Sequence, residues 1–373
     1  MNPSDNDNNV KNRNLENSED LKPAKKKNKG LKVFMIIAIV IITVLIIAAV
    51  TMAVMIYRGR NAALNGNKEV KVDVPSSFSV ESTSDANGSY VYHDGKKYQY
   101  NDKITTVLFA GIDKRTEQHD VNVFGTAGKA DCIFVMALDT ESGEYKLMAV
   151  SRDSMVDVDV IGSKDIFHGT EKMQICLAYA YGDGKQKSAD NLKRSVSRLF
   201  FGIPINSYIA LDLDVIPILN NQVGGVKVTV NEDLSRYDPT LYEGAEVTLN
   251  DTQAEIFVRR RDIYADANQN NLRMERQKVF LTSFLKQTLA LTKEDFSVPL
   301  NMYNSCSGSM ETDIDASMIA YYTSIFLKSG FDSEKNMLKV PGTTTTDGTY
   351  AQYYVDSEKF FEIILDTYYT EVN

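Results

Sequence analysis

Ile104–Ile112, ITTVLFAGI, carries no charged residue and is rich in β-branched side chains. A short continuous apolar run of this kind fits a strand covered on both faces. The pattern recurs at Asp131–Thr140 (DCIFVMALDT). It recurs again at Tyr145–Ser151 (YKLMAVS), reached through a Ser142-Gly143 turn. Strands buried on both sides need helices above and below them. The expected class is therefore α/β, a central sheet flanked by helices.

The rest of the body supplies those helices. A short one is expected over Lys172–Tyr181, ended by Gly182-Asp183-Gly184-Lys185. A better one is capped by Ser188 and turns Leu192, Val196, Leu199 and Phe200 to one side. Ser207–Leu211 reads as a strand, Val215–Asn220 as a turn or two of helix, and Val226–Val230 as a strand after Gly224-Gly225. Asn250 and Gln253 form a capping-box pattern for a helix running to about Arg259. A long amphipathic helix follows over Leu272–Leu291. The last elements expected are a helix near Ala316–Leu327, a strand Met337–Val340 and a helix Ser357–Tyr369.

Upstream, residues 1–32 are dominated by Asn, Asp, Ser and Lys and lack the apolar surface to order themselves. Val33–Tyr57 (VFMIIAIVIITVLIIAAVTMAVMIY) has no charge. At ~1.5 Å per residue such a helix spans the ~30 Å hydrocarbon layer. Lys22, Lys25, Lys26, Lys27, Lys29 and Lys32 precede it, which sets the amino end in the cytoplasm and the body outside. Residues 58–101 are expected to be a polar spacer. Its tail, YVYHDGKKYQY, reads as a hairpin about Asp94-Gly95. Residues 102–373 make one domain.

Three polar residues sit at strand ends: Asp113 closes the first strand, Asp131 opens the second, and Arg152 follows the third. Open α/β sheets bind ligands beyond the carboxyl ends of their strands. If the first two strands are neighbours, Asp113 and Asp131 can converge on one hard cation. Two carboxylates plus substrate phosphate oxygens are a usual way to hold Mg²⁺. Phe257–Gln277 (FVRRRDIYADANQNNLRMERQ) concentrates Arg259, Arg260, Arg261, Arg273 and Arg276 in a chain of formal net charge -9. Guanidinium forks suit phosphate oxygens. Carboxylates and arginines together describe a site for a pyrophosphate with its metal.

The same composition excludes other classes. An acidic chain is a poor general nucleic-acid binder. Three histidines and no HExxH argue against a zinc hydrolase. Cys132, Cys176 and Cys306 are too few and too scattered for a disulfide framework. No GxSxG elbow marks a serine hydrolase.

In order, the chain carries Gly111-Ile112-Asp113, Lys129-Ala130-Asp131, SRDSMV from Ser151, VGGV from Val223, LNDTQAEIFVRRRD from Leu249 and LRMERQ from Leu272. With the membrane helix before it, this set resembles the LytR-CpsA-Psr family of cell-envelope proteins over roughly residues 102–293. The resemblance implies an α/β/α sandwich with a long apolar pocket for a lipid tail. It implies a phosphotransferase that moves an anionic glycopolymer, such as teichoic acid or capsular polysaccharide, from a polyprenyl-pyrophosphate carrier to peptidoglycan. By motif position Asp113 and Asp131 would hold Mg²⁺. Lys129, Arg152, Arg259, Arg261, Arg273, Arg276 and Gln277 would bind the pyrophosphate. Arg152, Asp113, Arg259 and Arg261 would carry catalysis; the sequence does not identify the general base, for which Asp113 and Asp153 are candidates. Two positions depart from the family pattern: Lys129 stands for an arginine and Asn270 for an aspartate. They favour the alternative of a non-catalytic binder of polyprenyl-linked glycans. A pyrophosphatase that transfers to water is a further alternative. The apolar faces of Lys172–Tyr181 and of the helix after Ser188 are candidates for the pocket wall, or plain core.

Overall fold

The structure, a computed structural model, describes residues 29–64, 75, 78–81, 90–115, 125–162, 166–260, 269–330, 332–345 and 350–372. By packing, the chain forms two units, residues 1–51 and 52–373. Helix α1 (Lys29–Ala63) contains Val40–Ala63, which is long and apolar enough to cross a membrane. Its last turns belong to the second unit. Ile56 and Ala63 pack into a cluster with Tyr321 and Ile325, and the Ala63 carbonyl accepts a hydrogen bond from Thr105 Oγ1 at 2.7 Å. Gly59 approaches so closely that a Cβ there would collide with the Ser317 carbonyl oxygen, so only glycine fits.

Strands β1 (Ser79–Glu81), β2 (Tyr90–His93) and β3 (Lys96–Tyr100) follow. The β2–β3 turn places Asp94 at φ 49° and Gly95 at φ 75°. Two left-handed residues in succession are what a two-residue hairpin turn requires. The central strands come next: β4 (Ile104–Ile112), β5 (Ala130–Asp139) and β6 (Tyr145–Val150). A hairpin of β7 (Met155–Ile161) and β8 (Phe167–Gln174) leads through a single 3-10 turn to α2 (Gln186–Leu199). Then come β9 (Ser207–Leu211), α3 (Val215–Gln222), β10 (Lys227–Thr229), β11 (Glu246–Thr248), α4 (Asp251–Arg259) and α5 (Gln269–Glu294). The capping box at Asn250 and Gln253 is formed as its sequence pattern requires. The chain continues through α6 (Val298–Cys306), β12 (Met310–Thr312), α7 (Ala316–Ser329), α8 (Ser333–Asn336) and β13 (Met337–Lys339). It ends with a hairpin of β14 (Gly342–Thr345) and β15 (Gln352–Val355), then α9 (Ser357–Tyr368) and β16 (Tyr369–Val372).

The main sheet has the order β12-β9-β4-β5-β6-β13. Antiparallel pairing joins β4 to β5 and β5 to β6, while β9 and β13 run parallel to their neighbours β4 and β6. Alternation along β5 sends Ile133, Val135 and Ala137 to one face and Phe134, Met136 and Leu138 to the other. On the first face α2 and α9 close a dense core around Leu192, Val196, Phe360, Phe361 and Ile364. On the second face Phe134 and Met136 share a cluster with α7, and Leu281 of α5 packs against it. Helices on both faces make this the expected α/β/α sandwich.

Three elements differ from the sequence expectation. Lys172–Tyr181 is not a helix: Lys172–Gln174 end β8 and Ile175–Leu177 form the 3-10 turn. Met173, Ile175 and Leu177 also satisfy a period of two, so an apolar periodicity could not separate the two states. The N-cap position of α2 is Lys185, not Ser188; Asp183, two residues earlier, accepts at Oδ1 from the Lys185, Lys187 and Ser188 amides, and Ser188 Oγ accepts from the Gly184 amide. Within the stretch expected to be a spacer, β2 and β3 join β1 and β16 in a four-stranded sheet of the body.

Candidate active site

The β4–β5 pairing settles whether the two aspartates meet. Gly111 lies opposite Cys132, and the register shifts by one residue before Ile112 meets Ala130. This bulge brings Asp113, just past the end of β4, beside Asp131, the second residue of β5. Asp113 is tied across the opening: its amide donates to the Lys129 carbonyl at 2.9 Å and its Oδ1 accepts from the Lys129 amide at 2.7 Å. Lys129 therefore meets the site through its backbone, and its side chain is exposed.

Arg152 leaves the end of β6 and forms an ion pair with Asp131 Oδ1. Its Nη2 reaches Cys176 Sγ at 3.5 Å and its Nε lies 3.6 Å from Asp153 Oδ1. Arg273, buried on the first turns of α5, approaches Asp131 Oδ2 at 3.5 Å. Asp131 thus bridges two guanidiniums from well-separated parts of the sequence, the end of β6 and the start of α5.

Electrostatics follow from this crowding. Burial raises the pKa of Asp113, and the neighbouring Asp131 charge adds to the rise. The Lys129 amide and Arg152 oppose it. Burial works against charge on Arg152, but Cys176, Asp131 and Asp153 outweigh it and hold its pKa above the ordinary value. Burial pushes the Cys176 thiol up to about 11 and the Cys132 thiol up to about 12. Both stay protonated near neutrality and are poor nucleophiles. All three cysteines are free.

Below the aspartates lies a cavity of about 1070 Å³. Its walls are apolar: Phe134 and Met136 of β5, Phe280, Leu281, Leu285 and Leu289 of α5, and Ile319, Tyr322 and Phe326 of α7. Its polar lining includes Asp113, Asp131, Arg273, Gln277, Glu255, Arg259 and Arg260, with Asp212 and Asp251. The wall is not built from α2 or from residues 172–181, whose apolar side chains belong to the core on the other face of the sheet.

The expected phosphate ligands divide. Arg152 and Arg273 meet at Asp131. Arg259 lines the cavity and pairs with Glu255, one turn back on α4. Arg115 completes that network, with Nη2 on Glu255 at 2.7 Å and Nη1 on Asp214 at 2.6 Å. Glu255 and Arg115 carry no sequence signal that separates them from ordinary surface charges. Gln277 lines the cavity and donates to the Val258 carbonyl at 3.3 Å. Arg276 is a correction: it is 1 % exposed and faces away from the cavity. Its Nε donates to the Phe257 carbonyl at 2.8 Å, and its two terminal nitrogens bond the Arg260 carbonyl and Glu232. It closes the carboxyl end of α4, so its fork is already used. Arg261 lies outside the described residues, as does the side chain of Asn270.

Among the described residues no group of three or more His, Cys, Asp or Glu side chains is placed to hold a metal ion. The adjacent carboxylates of Asp113 and Asp131 fit a hard cation that takes its remaining ligands from phosphate and water, as Mg²⁺ does.

Comparison with known proteins agrees with this architecture. The LytR_cpsA_psr family model matches residues 54–366. The chain is 26% identical over 270 residues to the polyisoprenyl-teichoic acid–peptidoglycan teichoic acid transferase TagV of Bacillus subtilis (strain 168), covering 69% of this chain and 61% of the relative. It is 28% identical over 220 residues to the similarly named TagU of Enterococcus faecalis (strain ATCC 700802 / V583), covering 57% and 63%. The chain therefore spans somewhat over three fifths of the length of each of these relatives. The crystal structure of B. subtilis TagV shares the fold, with a TM-score of 0.53 at 24% identity over 71% of this chain and 97% of that one. A protein from Streptococcus agalactiae does so with a TM-score of 0.55 at 19% identity, covering 70% and 86%.

Proposed function

Because the chain belongs to the LytR-CpsA-Psr family, we propose that it transfers an anionic glycopolymer from a polyprenyl-pyrophosphate carrier to peptidoglycan. One observation carries this reading: Arg259, Arg260 and Arg273, set among carboxylates that include Asp113 and Asp131, line the polar part of an otherwise apolar cavity of about 1070 Å³. A ligand with a diphosphate head and a long hydrocarbon tail matches both halves. The names of the relatives, teichoic acid transferases acting between a polyisoprenyl carrier and peptidoglycan, support it.

In this reading the tail lies among Phe280, Leu281, Leu285, Ile319 and Phe326, where burial of apolar surface at about 25 cal/mol per Å² provides affinity. Arg152 and Arg273 exchange part of their contact with Asp131 for phosphate oxygens. Their charge-assisted bonds strengthen as negative charge gathers on the transferring phosphoryl. Arg259 and Arg260 supply further positive charge. Asp113 and Asp131 would hold Mg²⁺, which supplies neutralising charge to the phosphate oxygens when bound. The leaving group is itself a phosphate ester and needs little protonation.

The α1 span anchors the chain in the membrane, and the lysine cluster before it sets the amino end in the cytoplasm with the body outside. Protease added to intact cells should remove the body; full protection would contradict this orientation.

The transfer reading is tested with the full chain in membrane nanodiscs, a lipid-linked anionic glycan, peptidoglycan and a divalent cation. Polymer joined to peptidoglycan by a phosphodiester is expected, and its loss in an Asp113→Ala, Asp131→Ala double variant. Donor bound but never consumed would instead identify a binder.

A further inference from the structure

A second hollow lies behind the first. It is a cleft of about 400 Å³ lined by Ser151, Arg152, Asp153, Lys278, Lys339 and Thr344, over an apolar floor that includes Met337 and Leu338. Asp131, Cys132, Phe134, Arg273 and Gln277 line both hollows. These five residues mark where the apolar cavity and the cleft adjoin. Asp113 lines only the cavity, whereas Asp153 lines only the cleft.

We propose that this cleft seats the acceptor, a carbohydrate presenting a free hydroxyl, and that Asp153 receives the proton of that hydroxyl. The proposal rests on the transferase reading above. In phosphoryl transfer the attacking and leaving oxygens stand roughly in line across phosphorus. The leaving polyprenyl phosphate has its tail in the cavity, so the nucleophile arrives at the head group from the side facing away from the cavity. That side is the cleft. Its lining suits a sugar: hydroxyl, ammonium and carboxylate groups for the ring's polar rim, and Met337 and Leu338 for its apolar face.

Asp153 is held for this role. It is buried at the end of β6. Its Oδ1 accepts from Gln174 Nε2 at 3.0 Å, and that same amide reaches the Ala351 carbonyl at 2.7 Å. The Asp153 carbonyl accepts from the Tyr353 amide at 2.8 Å. Gln174 at the end of β8 and Arg152, whose Nε lies 3.6 Å from Oδ1, thus hold the carboxylate, while β15 holds the backbone that carries it. A base fixed beforehand needs little reorganisation during reaction. In the step, the hydroxyl oxygen bonds to the phosphorus nearer the glycan. The bond from that phosphorus to the bridging oxygen breaks. The bridging oxygen leaves with polyprenyl phosphate, and the hydroxyl proton passes to Asp153 and then to water.

The test uses the full chain in nanodiscs with a polyprenyl-pyrophosphate-linked glycan as donor and soluble uncrosslinked peptidoglycan oligomers as acceptor. A Lys278→Glu, Lys339→Glu double variant should raise the acceptor KM about tenfold or more and leave the donor KM unchanged. Asp153→Asn should lower kcat by about a hundredfold or more, the scale of general-base catalysis. It should also erase the acidic limb of the pH–rate profile. Wild-type acceptor KM in the double variant overturns the acceptor assignment, as does a rise in donor KM alone. An unchanged pH profile in a folded Asp153→Asn protein overturns the base. If wild-type protein consumes no donor, the transferase reading falls first and the proposal falls with it.

Discussion

The two faces of the central sheet are made from the same strands and the same kinds of residue, yet one is filled and the other is hollow. On the filled face, Phe200 and Phe360 meet edge to face at 4.9 Å, with Phe361 and Ile364 fully buried beside them. On the hollow face, α5 and α7 stand off the sheet and leave a cavity of about 1070 Å³. A close-packed core forfeits little contact energy, whereas a hollow this large forfeits much. In the proposed reading the hollow is kept for a ligand whose charged end lies beside the polar groups.

Substitutions can break this contrast. The largest stability loss is expected on the filled face, where Phe360→Ala should cost about 3–5 kcal/mol in denaturant unfolding. Next comes the seam between α1 and α7. Gly59→Leu forces a side chain against the Ser317 backbone and should cost about 1–3 kcal/mol, the usual range for overpacking. On the hollow face, Leu285→Trp should change stability by less than about 1 kcal/mol, since it fills space instead of displacing neighbours. It should nevertheless weaken binding of a long polyprenyl phosphate far more than binding of inorganic pyrophosphate. Equal losses from Phe360→Ala and Leu285→Trp would erase the distinction between the faces.

The smallest effect concerns pH. Burial, aided by Asp131, raises the Asp113 pKa in the folded state. A group raised on folding favours the native state at low pH, and that contribution is lost as pH climbs through the native pKa. Wild type should therefore lose stability relative to Asp113→Asn as pH rises from the ordinary carboxylate range through the raised native pKa. Unfolding midpoints measured across that range with a chelator present give the slope. A difference that is flat or of opposite sign would remove the desolvation account.

Much of the sheet was legible because fully covered strands leave unbroken apolar runs; Ser207–Leu211 is observed over the same residues. The meeting of Asp113 and Asp131 followed once the first two strands proved to be neighbours. Other features had no distinctive signal. β8 is largely exposed, with few inward side chains to mark a strand, so Lys172–Tyr181 resembled a helix. Phe280, Leu281, Leu285 and Leu289 have helical spacing whether they face a packed core or a void. Arg273 and Arg276 lie three residues apart on one helix. Only tertiary packing assigns the first to the site and the second to the end of α4.

The most direct measurement is photo-crosslinking of the full chain with a polyprenyl diphosphate carrying a diazirine in its tail. Label recovered on residues 280–289 of α5 and 319–327 of α7, displaced by unlabelled ligand, is the predicted result. Label confined to α1, or placed on α2 and α9 of the filled face, would contradict it.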